Sequence, residues 1–115
     1  MMLREIPLPS VFEIWDVDLV GPTGEFTTWP GVVFFDNRDG TVSRDILGVL
    51  PIGPAGSHAS FHVSIPRQES VVETDSAVLC DQHFFVPREA FVRRRGHVPD
   101  RLHARLLRET WNQFL

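Results

Sequence analysis

The run Asp75-Ser76-Ala77-Val78-Leu79-Cys80-Asp81-Gln82 ends an apolar strand in a carboxylate and an amide, which sets both at the lip of any cleft beside it. A carboxylate in that position has two uses. It can act on a bound substrate as an acid or base, or it can cap a turn or pair with a nearby arginine, and the residues alone leave both open. Gln82 reads as structural. Cys80 has no basic neighbour in sequence and reads as a buried small hydrophobe rather than a nucleophile. His58 and His62 on one extended strand would stand roughly 13 Å apart, too far to share an ion, so no metal site is expected. His103 lies inside the apolar arc of a helix and reads as a packed, hydrogen-bonded histidine. Trp29, just before Pro30 at a strand start, reads as core, with stacking on a splayed nucleobase as the alternative.

These residues need elements to hold them. Val11 to Val20 alternates imperfectly and reads as a strand, with Val11, Trp15, Val17 and Leu19 on one face, Asp16 and Asp18 on the other, and Phe12 and Ile14 blurring the pattern. Pro30 can open a strand but not sit inside one, so the second strand runs from Gly31 to Phe35 and closes in the turn Asp36-Asn37-Arg38-Asp39-Gly40. Asp45 to Ile52, Ser60 to Ile65 (His62 outward) and Ser76 to Gln82 complete five strands. A short helix from Pro87 to near Phe91 follows, then a strand Val92 to Arg95 broken by Gly96. Pro99-Asp100 opens a terminal helix. Its apolar arc (Leu102, Leu106, Phe114, Leu107, Trp111, Ala104 and Leu115) spans roughly 220°, wider than one sheet can cover, which predicts a second surface such as another copy of the chain.

Composition bounds the rest. The 115 residues suit one domain over positions 1–115, and folding a chain of this size hides roughly two-thirds of its extended surface. No apolar run spans a membrane, Met1 to Ser10 lacks the apolar stretch of a secretory signal, and the lone cysteine fits a reducing cytoplasm. The net charge of −4 opposes uniform attraction to nucleic acid, but Arg88 to Glu109 alone holds seven arginines against three acids. Within it, Arg93 and Arg95 point to one face of a strand and Arg94 to the other, so they form no single patch. Arg101, Arg105 and Arg108 share one helix face. Every basic residue is Arg, which suits bidentate pairing with carboxylates or phosphates, although codon usage would give the same count.

Read in order, Asp18-Leu19, Pro22, Gly24-Glu25, Trp29-Pro30, Val32-Val33, Asn37, Leu50-Pro51-Ile52-Gly53, Phe61 to Ile65, Asp75 to Gln82 and the closing helix form a series that resembles the MazF/PemK/Kid toxins from roughly Ser10 to Leu115. The weight rests on order and spacing, since no single motif is diagnostic. The resemblance implies a mainly β fold with a C-terminal α-helix, the SH3-like small barrel of MazF and CcdB. It also implies a homodimer, an acidic antitoxin as partner, single-stranded RNA as substrate and no cofactor. In that chemistry the ribose 2′-hydroxyl attacks the adjacent phosphate, leaving a 2′,3′-cyclic phosphate and a 5′-hydroxyl. A base, an acid and a cation or donors facing the phosphate are required. By resemblance Asp81 is the base, while Gln82, Thr28 and Trp29 meet the RNA. Three positions depart from the pattern: Trp29 stands where the family has arginine, Gly53 where it has a hydroxyl, and Leu79 where some members have a basic residue. An indole offers one N–H and no charge. The resemblance therefore implies weak or absent cleavage. The alternative is a non-enzymatic protein of the same fold, either an antitoxin-binding relative or a gyrase-gripping toxin like CcdB.

Overall fold

A computed structural model describes residues 8–20, 23–36, 45–54, 62–65 and 76–113. Met1, Pro22, Asn37, Arg38, Asp39, Gly40, His58, Ser60, Phe61, Asp75, Phe114 and Leu115, all used above, lie outside these residues. Seven strands, β1 (Glu13–Val20), β2 (Phe26–Phe35), β3 (Ile46–Pro54), β4 (Val63–Ile65), β5 (Ser76–Val78), β6 (Phe84–Pro87) and β7 (Phe91–His97), precede a 3-10 turn and the helix α1 (His103–Asn112). The antiparallel order is β4-β5-β3-β2-β1-β7. Strand β3 gives one edge to β2. Its other edge is divided, with Ile46 to Val49 on β6 and Ile52 to Pro54 on β5, and this division curls the sheet into a half-barrel. The mainly β fold with a terminal helix is therefore observed.

Alternation along the central strands buries both faces. Ile14, Val32, Phe34, Leu50 and Ile52 join Cys80, Val98 and Leu106 under the helix, while Trp15, Val17, Val33, Leu47, Val49 and Phe91 fill the other side. The blur at Phe12 and Ile14 has this cause: the start of β1 serves the helix-side core. Phe12 sits at φ 74°, a region that disfavours a side chain. Three contacts hold it there. Its N–H donates to Val33 O (2.8 Å), its carbonyl accepts from Val98 N (2.8 Å), and its ring stacks on His103 at 3.7 Å between centroids. His103 in turn donates from Nε2 to Val98 O at 2.7 Å, so it is the packed histidine its position predicts.

The structure corrects several boundaries. Pro30 lies within β2, opposite Asp16, because residues 26–30 pair only with β1 among the described strands; β3 joins at Gly31, and a strand edge tolerates a missing N–H. Gly96 does not end β7 but continues it at an irregularity of the β1 ladder. Phe84 and Phe85 belong to a strand, β6, absent from the sequence reading, and the residues after β5 turn at Cys80 instead of extending to Gln82. Of the helix arc, Leu106 and Thr110 are buried, whereas Ala104 is exposed and Trp111 is 44% exposed, so part of the predicted apolar surplus faces outward. Phe12→Ala is expected to lose about 3 kcal/mol of stability in a denaturant titration, with amide exchange rising first along α1. A Cβ at Gly31 would overlap Val49 Cγ1, so Gly31→Ala should cost about 1–3 kcal/mol in the same measurement.

Candidate functional site

Asp81 owes its place to the turn after β5. Leu79 N donates to Pro51 O (3.0 Å), tying the turn to β3, and Gln82 N donates back to Leu79 O (3.1 Å). Cys80 points into the core and is fully buried, which sends Asp81 outward. The Asp81 carboxylate then meets His62: Oδ1 lies 2.9 Å from Nε2, and because a carboxylate only accepts, the imidazole donates. The Asp81 side chain keeps 34% of its surface open and His62 only 11%. Arg105 Nη2 reaches the His62 carbonyl at 3.5 Å from α1. Sequence reasoning gave Asp81 a turn or an arginine as partner and missed His62. Alternation indicated only a face for that residue, and nothing along the chain linked two positions on separate strands.

The other candidates lie on or beside the ladder. Thr28 Oγ1 donates to Asp18 Oδ1 across β1–β2 at 2.7 Å. Trp29, opposite Val17, is 46% exposed, which corrects its reading as core: the β2–β3 pairing starts only at Gly31↔Pro51, so the indole extends past the covered part of the sheet. Gln82 is exposed. Continuing the Gly31↔Pro51 register two residues sets Trp29 level with Gly53, and the two-residue period sets both on one face. On that face a Cβ at Gly53 would come 3.2 Å from Leu79 Cδ1. Gly53 and Leu79 are thus neighbours near the point where the β2–β3 pairing ends, and Leu79 fills the room a side chain at 53 would need. A separate groove of about 460 Å³, lined by Asp18, Phe26, Phe84, Phe85 and Glu89 among others, contains none of the four candidate residues.

The basic triplet of β7 is engaged by β1. Arg93 and Arg95 reach Asp16 at 3.3 and 3.5 Å, and Arg94 Nε reaches Glu13 at 2.6 Å. Burial opposes ionisation of Glu13, but the Ser10 amide, Arg94 and the Trp15 indole together hold its carboxyl below the ordinary 4.5. Cys80 moves the other way, since burial pushes its thiol from the ordinary 9.0 up to about 11. It is a core residue, not a nucleophile.

The fold is that of the MazF toxins. No protein-family model and no curated sequence matches the chain, yet solved structures do. It is similar to the Mycobacterium tuberculosis toxin MazF-mt6, with a TM-score of 0.72 and 16% identity over 89% of this chain and 95% of that one. The MazF of a Deinococcus radiodurans MazE–MazF structure gives a TM-score of 0.70 at 13% identity, covering 94% and 96%. An endoribonuclease from a mycobacterial species gives 0.72 at 9% identity, covering 94% and 92%.

Because the Cys80 pKa is raised on folding, its contribution to stability is full below about pH 9 and is lost as pH rises through about 11. Denaturation midpoints across that window should fall more steeply for the wild type than for Cys80→Val, and the native thiol should resist alkylation at pH 8 until the chain unfolds.

Proposed function

We propose that this chain is a MazF-like toxin, a homodimer that binds single-stranded RNA and an acidic antitoxin and whose metal-independent cleavage is weak or absent. The observation that carries the reading is the agreement of the fold, across nearly all of the chain, with structures described as a MazF toxin, a MazE–MazF pair and an endoribonuclease. The outward, partly open Asp81 carboxylate supports its part as base. In that step Asp81 takes the 2′-hydroxyl proton as O2′ bonds to phosphorus, the bond from phosphorus to O5′ breaks, and O5′ is protonated from water. Gln82, Thr28 and Trp29 are the contacts to RNA, with Trp29 as a stacking surface for a splayed base.

Weak chemistry follows from what surrounds the phosphate. Leu79 over Gly53, with Trp29 level across the opening, is an apolar group where the resemblance calls for a hydroxyl and cations. Each missing donor to a phosphorane-like charge removes roughly 10² to 10³ in rate. The open part of α1, with Ala104 and Trp111, supports a second surface for another copy of the chain.

Induction in cells with mapping of RNA ends tests the reading. Growth arrest with new 5′-hydroxyl ends, lost in Asp81→Ala, is expected of a residual nuclease; arrest without such ends would move the function to a binding target. Gly53→Thr combined with Leu79→Arg clears the obstruction and supplies both groups. It should raise cleavage of a single-stranded RNA in vitro by about 10²-fold or more. An unchanged rate in that variant would remove the explanation offered for weak chemistry.

A further inference from the structure

The Asp81 carboxylate has two oxygens in different situations. Oδ1 faces His62 Nε2 at 2.9 Å, while the side chain as a whole is about a third exposed, so an acceptor remains for a molecule outside. His62 is nearly covered and cannot reach a substrate itself. Its origin is steadied from three directions: β4 begins at the next residue, Val63 is fully buried in the helix-side core, and Arg105 of α1 donates to its carbonyl at 3.5 Å. Asp81 is fixed more loosely, by a turn whose next residue, Gln82, is exposed. Without a partner, that carboxylate would sample several rotamers around one rigid Cα.

We propose that His62 is a positioning residue for Asp81: by holding Oδ1 it aims Oδ2 outward to accept a hydrogen bond from a ribose 2′-hydroxyl, and so lets the protein tell RNA from DNA. This rests on the reading of Asp81 as the carboxylate that meets RNA. The ligand class follows from the chemistry. A carboxylate accepts and does not donate, so it repels a phosphate and favours the one backbone group that offers an O–H, the feature that separates the two nucleic acids. A charge-assisted hydrogen bond of this kind amounts to a preference of about tenfold or more.

The test compares binding of a short mixed-sequence RNA and its 2′-deoxy counterpart, by fluorescence anisotropy in the cold and before turnover. Wild type should favour RNA about tenfold. The preference should vanish in Asp81→Ala, which also relieves the repulsion of phosphate for both oligomers, and in His62→Phe, with affinity for the deoxy oligomer kept in the latter, and should return in His62→Gln, whose amide N–H stands in for Nε2. A merely structural histidine would lower both affinities together. A preference that survives His62→Phe, or one missing from His62→Gln or from the wild type, overturns the proposal. Should His62→Phe fail to fold, the nitrogen-15 spectrum of the wild-type imidazole decides: a proton on Nε2 that shifts in Asp81→Asn is expected, and its absence overturns the pairing. If RNA preference follows this pattern while no cleavage is seen in any variant, the positioning role stands and the nuclease reading falls. If no oligomer binds at all, both fall.

Discussion

The stacking of Phe12 on His103 joins the first turn of the helix to the start of β1, ahead of the contacts that Leu106 and Trp111 make further along. Phe12 occupies a backbone region that costs a non-glycine residue on the order of 1 kcal/mol or more, and it stays there because β2, the end of β7 and α1 each contribute a bond or a ring to it. From that joint a chain of contacts runs outward. His103 fixes the first turn of α1 to Val98, Leu106 seats the next turn in the core, and Arg105 beside it reaches the His62 carbonyl, whose imidazole holds Asp81. The exposed carboxylate is thus placed by the interior. Its position depends on a helix far away in sequence as much as on the strand that carries it.

The substituted positions obey a packing logic of their own. A threonine at position 53 would bring a Cβ into tight contact with Leu79, so the leucine favours a glycine opposite it. Trp29, on the part of β2 that β3 does not pair, is a further exposed apolar group on this side of the chain.

Much of the architecture was legible in the sequence because it follows from local periodicity. The imperfect alternation of β1, the Pro99-Asp100 helix start and the excess apolar arc of α1 each map to an observed feature. What failed was decided by neighbours. Pro30 sits inside a strand because, among the described strands, only β1 pairs with that part of β2, and Trp29 is exposed where β3 does not cover it. Phe84 and Phe85 became a strand because β3 offered half an edge to them. At the candidate site, Asp81 and Gln82 were legible as the polar end of an apolar strand, but His62 was not, since the partner of a carboxylate is set by tertiary folding.

Charge shows the same dependence on neighbours, and it bears on how this surface can meet a polyanion. By sequence the segment from Arg88 to Glu109 looks like a basic patch. In the folded chain six of its seven arginines have described acceptors: Asp45 for Arg88, Asp16 for Arg93 and Arg95, Glu13 for Arg94, the His62 carbonyl for Arg105 and Glu109 for Arg108. Such exposed pairs are individually weak, about 1 kcal/mol or less, so they can open to a phosphate, but each opening except that of Arg105 leaves a carboxylate beside the ligand. Affinity for nucleic acid built on released counterions is then small. On the proposed RNA reading, discrimination comes instead from uncharged contacts and from directed hydrogen bonds, the setting in which one well-aimed carboxylate and one exposed indole carry the most weight.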